Sequence, residues 1–224
     1  MGQEKMKIEI WSDIVCPFCY LGKKKLQRAT DKLRVSEKPE IIWHSFQLAP
    51  DFPKKVSIPS TQYLAEKKNI SPEQIQGIHQ HLMDQGKSYG INFQFGKALS
   101  FNTFDAHRLW QWSKKLNKSD ELKEAFFVAY FTDGKDLSIK ENLLSVVEKT
   151  GLNRAEADTI LNSDAFEQEF EEDIYQSRQL GIRGVPYFLI NEKESIYGAQ
   201  DDKVFDQNIT SALKSMQLYY RLRN

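Results

Sequence analysis

Met6-Lys7-Ile8-Glu9-Ile10-Trp11-Ser12-Asp13-Ile14-Val15-Cys16-Pro17-Phe18-Cys19-Tyr20 holds both cysteines of the 224-residue chain. From Met6 to Trp11 apolar residues alternate, the period of a short strand. After the cysteines, Phe18, Leu21, Leu26, Ala29 and Leu33 recur at helical spacing. The two sulfurs therefore stand where a strand gives way to a helix. A helix start leaves N–H groups unpaired and the positive end of the macrodipole outward. Pro17 suits the first helical turn, which needs no N–H from it. On this reading Cys16 is exposed and acidified, and Cys19 sits shielded one turn deeper. A free thiol has a pKa of about 8.5, and helix starts lower it to roughly 3.5–7.5.

Such a pair can run a whole exchange cycle: Cys16 attacks a disulfide, and Cys19 resolves the mixed disulfide. A structural zinc site needs about four ligands. The remaining candidates are His44, His79, His81 and His107, and no two make an i, i+4 pair. No metal is expected. A purely structural disulfide is a poor alternative, because a loop this short constrains the unfolded chain little.

A second signal lies at Gly181-Ile182-Arg183-Gly184-Val185-Pro186-Tyr187-Phe188-Leu189-Ile190, where Pro186 opens an apolar strand-like run. Proline is tolerated at a strand's first residue, and most X–Pro bonds are trans. The residues alone therefore predict a trans Val185–Pro186 bond.

Trp11 to Tyr20 resembles the active-site entry of DsbA-like thioredoxin-fold oxidoreductases, in particular the FrnE-type branch. Asn102-Thr103-Phe104-Asp105-Ala106-His107-Arg108-Leu109, Ala129 to Asp136, Gly184 to Phe188 and Tyr197-Gly198-Ala199-Gln200 extend the resemblance in order along most of the chain. It implies an α/β thioredoxin fold (βαβ…ββα) interrupted by a large all-helical domain, with a cis proline beside the cysteines. The implied site is Cys16 as nucleophile and Cys19 as resolving thiol. Val185 offers its backbone to an extended substrate, Pro186 shapes the groove, and Pro17 and Phe18 tune the pair. Phe18 stands where DsbA carries histidine, which implies a less oxidising couple. The second cysteine pair of some FrnE-type proteins is missing. Kappa-class glutathione transferases and hydroxychromene-carboxylate isomerases share the layout, commonly with a hydroxyl residue replacing the first cysteine. A glutathione-dependent transferase or isomerase is thus the alternative, and a redox-linked holdase a second one.

Length permits one or two domains. The expected division is 6–46 with 182–219 as a discontinuous thioredoxin-like domain and 61–181 as the helical insertion. Lys plus Arg and Asp plus Glu are both 31, so no bulk field attracts nucleic acid or an anionic membrane. No apolar run is long enough to span a bilayer. Residues 1–5 form a polar leader without secretory features, and the default location is cytoplasmic, where a CxxC pair is expected to be catalytic. Expected partners are a dithiol or disulfide, on a protein or on glutathione, with no resident cofactor. A homodimer is compatible with all of this.

Along the chain, residues 41–46 read as a second strand, with His44 a packed or surface histidine rather than a base for Cys16. Residues 47–60 read as an irregular linker. Ser71-Pro72-Glu73-Gln74 forms a capping box, and Gly90 a stop. Asn102 caps a helix with inner face Ala106, Leu109, Trp110, Ser113 and Leu116, on which His107 and Arg108 are solvated or interhelical. Ser119 caps an aromatic-rich helix. Ser138-Ile139-Lys140-Glu141 is a second capping box. A helix over 164–180 carries Glu169, Glu171, Glu172 and Asp173 on a wet face. Two strands, 187–190 and 195–197, form a hairpin before a closing amphipathic helix.

Overall fold

The computed structural model describes residues 5–223; most of the polar leader lies outside them. In chain order the elements are β1 (Lys7–Ser12), α1 (Pro17–Thr30), β2 (Glu40–Ser45), β3 (Ser57–Pro59), α2 (Ser60–Lys68), α3 (Pro72–Lys87), β4 (Leu99–Phe101), α4 (Phe104–Lys115), α5 (Ser119–Phe127), α6 (Lys140–Lys149), α7 (Arg154–Leu161), α8 (Glu167–Gln179), β5 (Tyr187–Ile190), β6 (Glu194–Tyr197) and α9 (Asp202–Arg223). After α5 the chain widens into one π-helical turn, Val128–Thr132.

The main sheet has the order β2-β1-β5-β6. β1 and β2 run parallel, with Ile10 opposite Trp43, and α1 is the crossover that parallel pairing requires. β5 runs antiparallel to β1, with Ile10 opposite Phe188, and β6 antiparallel to β5. This is the βαβ…ββα thioredoxin fold with helices inserted between β2 and β5. The β5–β6 turn places Asn191 and Glu192 at φ 49° and 58°, the left-handed pair that matches strand twist in tight hairpins. Asn191 is also tied to β1: its N–H donates to the Lys7 carbonyl, and its Oδ1 accepts the Lys7 N–H at 2.9 Å.

One contiguous apolar cluster runs from the sheet into the helices. Trp43 meets Trp110 edge-on at 6.0 Å, and Tyr20 of α1 stacks on Phe127 of α5 at 4.7 Å. Polar contacts reinforce the α1–α5 seam. The Tyr20 hydroxyl donates to Glu124 at 2.9 Å, and Lys23 bonds Glu124 at 2.8 Å and Asp120 at 3.1 Å. The Ser71 capping box forms as expected: Gln74 N–H donates to the Ser71 hydroxyl, and Ser71 N–H to the Gln74 side chain.

Several local expectations fail. Residues 57–59 of the supposed linker pair antiparallel with β4. Ser138 turns back to Asp136 rather than capping, so α6 starts only at Lys140. α4 begins at Phe104, although the Asn102 side chain accepts its N–H. Ser119 lies inside α5, and Leu116 is exposed. The helix read over 164–180 starts at Glu167, after Phe166 at φ 65°. Most consequentially, Asp173 is buried. It accepts the Ser45 N–H at 2.6 Å, pairs with Lys114 at 3.2 Å and faces His44 Nδ1 at 2.6 Å. The other ring nitrogen of His44 faces Glu9 at 3.2 Å.

A Cβ on Gly22 would lie 2.9 Å from Phe188 Cζ and 3.1 Å from Pro186 Cγ. Gly22→Ala is therefore expected to cost about 1–3 kcal/mol by overpacking, read as a lowered urea midpoint at unchanged slope.

Candidate active site

Cys16 is the N-cap of α1, in extended conformation at φ −91°, ψ 110°, and Pro17 occupies the first turn. The Cys16 carbonyl accepts the Cys19 N–H at 3.0 Å. Both cysteines are free thiols. The Val185–Pro186 bond is cis, as the resemblance implies and against the expectation from the residues alone. Cys16 Sγ donates to the Val185 carbonyl at 3.4 Å across a separation of 169 residues. The structure thus brings Cys16, Pro17, Phe18, Cys19, Val185 and Pro186 to one edge of the fold, where β1 and β5 meet α1.

One expectation is overturned. Cys16 is not an exposed, acidified sulfur: it is 3% exposed, and Cys19 1%. Interaction with the Cys19 thiol, then burial, pushes the Cys16 thiol well above its ordinary value, and the Asp13 charge adds to this. The Cys19 N–H acts in the opposite sense and is outweighed. Phe18, by contrast, is 43% exposed and Val185 half-buried, so the rim of the site meets solvent.

Behind the sulfurs lies a buried charged cluster that the motif reading passed over. The Asp13 carboxylate accepts the Ile14 N–H at 2.7 Å and the Leu48 N–H at 2.8 Å, and meets His107 Nε2 at 3.1 Å. Burial opposes its ionisation, but His107 and the Leu48 N–H outweigh that and hold its pKa below the ordinary value. Burial lowers the pKa of His107. A neutral ring donating from Nε2 leaves Nδ1 without a hydrogen-bond partner. Arg108 is interhelical, donating to the carbonyls of Ala165, Ile160 and Ser163. Lys123 is fully buried, with its Nζ 3.6 Å from the Trp110 ring centroid.

Residues 7–210 match the DSBA-like thioredoxin domain. The chain belongs to that family. A probable DsbA oxidoreductase from Streptomyces coelicolor superposes with TM-score 0.90 at 31% identity, over 93% of this chain and 90% of that one. Two more distant structures share the fold. A 2-hydroxychromene-2-carboxylate isomerase has TM-score 0.67 at 17% identity, over 95% and 98% of the two chains. The cytosolic disulfide reductase DsbM of Pseudomonas aeruginosa, also solved with GSH, has TM-score 0.62 at 13% identity, over 96% and 99%. Among the described residues of this DsbA-like protein, no helix is long and apolar enough to cross a membrane.

A raised thiol pKa makes the reactive thiolate scarcer at neutral pH. Cys16 in the reduced protein should therefore alkylate more slowly at pH 7 than free cysteine, whose pKa is about 8.5. Its rate should still be climbing where that of free cysteine levels off. A rate plateau already reached below pH 7 would contradict this.

Proposed function

We propose that the protein is a thiol–disulfide oxidoreductase working through Cys16 and Cys19. The observation that carries this reading is the 3.4 Å contact between Cys16 Sγ and the Val185 carbonyl. It sets the sulfur beside a backbone group able to hold an extended substrate. A substrate strand that offers its N–H to Val185 would compete for this carbonyl, the strand-addition mode of recognition. The same pairing would free the sulfur from its contact with that carbonyl. Cys16 thiolate then attacks one substrate sulfur, forming the mixed disulfide and expelling the other as thiolate. Cys19 attacks Cys16, closes the internal disulfide and releases the second substrate thiolate. Two electrons pass from the cysteine pair to the substrate, and the reverse sequence oxidises a dithiol. Pro186 packs against α1 and shapes the groove floor; Pro17 and Phe18 tune the pair and line its rim.

Weak thiolate stabilisation favours a less oxidising couple, since a strong oxidant needs a stabilised reduced form. The proposed direction is therefore reduction or isomerisation of protein or small-molecule disulfides, with glutathione as the resetting thiol and the cytoplasm as location. The glutathione-bound structure of DsbM and its cytosolic description support that pairing. The proposed division of labour keeps 6–46 and 182–219 as the redox unit and 61–181 as its helical insertion. Retention of both thiols favours redox exchange over glutathione-dependent isomerisation, which needs no oxidisable pair.

Cys16→Ser should abolish disulfide exchange, and Cys19→Ala should accumulate a mixed disulfide detectable by mass. Parental turnover of Cys16→Ser would refute the proposal. Glutathione-dependent isomerase turnover undiminished in Cys19→Ala would point to the isomerase instead.

A further inference from the structure

We infer that Tyr197, at the end of β6, is a specificity-determining residue of the site. Its exposed ring receives an apolar or aromatic side chain that flanks the reacting cysteine of an extended polypeptide. This rests on the oxidoreductase reading above and names the favoured substrate as a polypeptide disulfide rather than glutathione disulfide.

Tyr197 is the last residue of β6, an edge strand of the main sheet, and pairs in register with Tyr187, the first residue of β5. The next residue, Gly198, donates its N–H to the Pro186 carbonyl at 2.8 Å. The end of β6 is thereby fastened to the cis-proline loop. The side chain reaches the same loop: its hydroxyl lies 3.1 Å from the point that a Cβ on Gly184 would occupy. Gly184 precedes Val185, whose carbonyl accepts from Cys16 Sγ. A side chain at position 184 would press on the hydroxyl, so the tyrosine rests where only glycine leaves it room.

Tyrosine is common in strands, and a single exposed apolar residue on a surface is ordinary. Tyr197 differs in being braced. Its ring meets Tyr187 edge-on at 5.8 Å, and Tyr187 meets Trp11 edge-on at 5.9 Å. Trp11 stacks on His44 at 4.4 Å and donates from Nε1 to the Asp173 carbonyl at 3.4 Å. The row of rings runs outward from the core, from 1% exposed at Trp11 to 50% at Tyr197. A ring held in this way loses little conformational freedom when a ligand settles on it.

A substrate strand that pairs with Val185 lies one residue from Gly184, on the loop that Tyr197 borders. Neighbouring residues of that strand are spaced by about 3.3 Å, so side chains close to its cysteine are brought to the ring. Aromatic pairs gain more than the area they bury. Phe18, 43% exposed on α1, adds apolar surface to the same rim. Glutathione offers no counterpart, because its cysteine stands between a γ-linked glutamate and a glycine.

The test uses the reduced full chain and three disulfides. They are oxidised glutathione and the disulfide-linked dimers of two short peptides, one with phenylalanine and one with alanine on both sides of its cysteine. Formation of the mixed disulfide with Cys16 is followed by quenched mass analysis. The phenylalanine peptide is expected to react about tenfold faster than the alanine peptide. Tyr197→Ser should bring that ratio close to one, and Tyr197→Phe should keep it. Equal rates for the two peptides in the unaltered protein, or an unchanged ratio in Tyr197→Ser, overturn the assignment. If Tyr197→Ser does not fold, the phenylalanine peptide trapped on Cys19→Ala decides. Magnetic-resonance contacts between the peptide rings and Tyr197 are expected there, and their absence overturns the inference. Failure of the oxidoreductase reading is distinguishable, because the unaltered protein would then form a mixed disulfide with none of the three. Equal reaction with all three leaves that reading standing and removes only the role of Tyr197.

Discussion

The Asp13 carboxylate is the constraint from which the geometry of the site follows. It is fully buried at the end of β1, and it ties three parts of the chain with hydrogen bonds: the Ile14 amide, the Leu48 amide beyond β2, and His107 of α4. Its own carbonyl accepts the Cys16 N–H at 3.3 Å. A buried ionised carboxylate is tolerable only when its lone pairs are filled. The strand exit, the loop after β2 and α4 are therefore held in one arrangement, and Cys16 is placed by it. Asp13 also adds to the local field against a thiolate. The Cys19 thiol and burial oppose a Cys16 thiolate most, and the Asp13 charge adds to them; together they outweigh what the Cys19 N–H at the start of α1 contributes.

That balance changes the meaning of the CxxC motif. Strand-to-helix placement, Pro17 and the sulfur spacing were legible because each is a local rule. So were the Ser71 capping box and the hairpin at Asn191. The depth of the cysteines was not legible, since it depends on Val185, 169 residues away in the chain. The cis state of Pro186 followed from family resemblance and not from its neighbours. The lapse at Ser138 is local instead: Asp136, two residues back, outcompetes the helix end for its hydroxyl.

Asp173, which was placed on a wet face, shares a pattern with two other buried polar residues, Lys123 and His107. Asp173 lies three residues after Phe170 and four before Ser177, both buried, so helical spacing puts it on the inner face of α8. Lys123 precedes Phe126 and Phe127 by three and four residues, and His107 precedes Trp110 by three. Each is a charged or titratable residue inside an apolar stripe. Charge alone suggested a wet face; position within the stripe marks a buried one. The residues that meet this description converge from separate helices on the back of the site or, for Asp173, on His44 and the end of β2.

The front and the back of the site are held by different contacts. At the front, Cys16 Sγ donates to the Val185 carbonyl, while the Cys19 thiol and burial hold its pKa up. Under the proposed function, a substrate able to offer backbone hydrogen bonds would compete for that carbonyl. At the back, the buried charges are met in two ways. Asp13 is engaged by three donors, one of them His107. The Nζ of Lys123 has no hydrogen-bond partner among the described residues and lies instead over the Trp110 ring, 3.6 Å from its centroid, and burial pushes its pKa down to about 7. Aromatic faces recover only part of what burying an ammonium costs, so the carboxylate is held by geometry and the lysine by the rings around it.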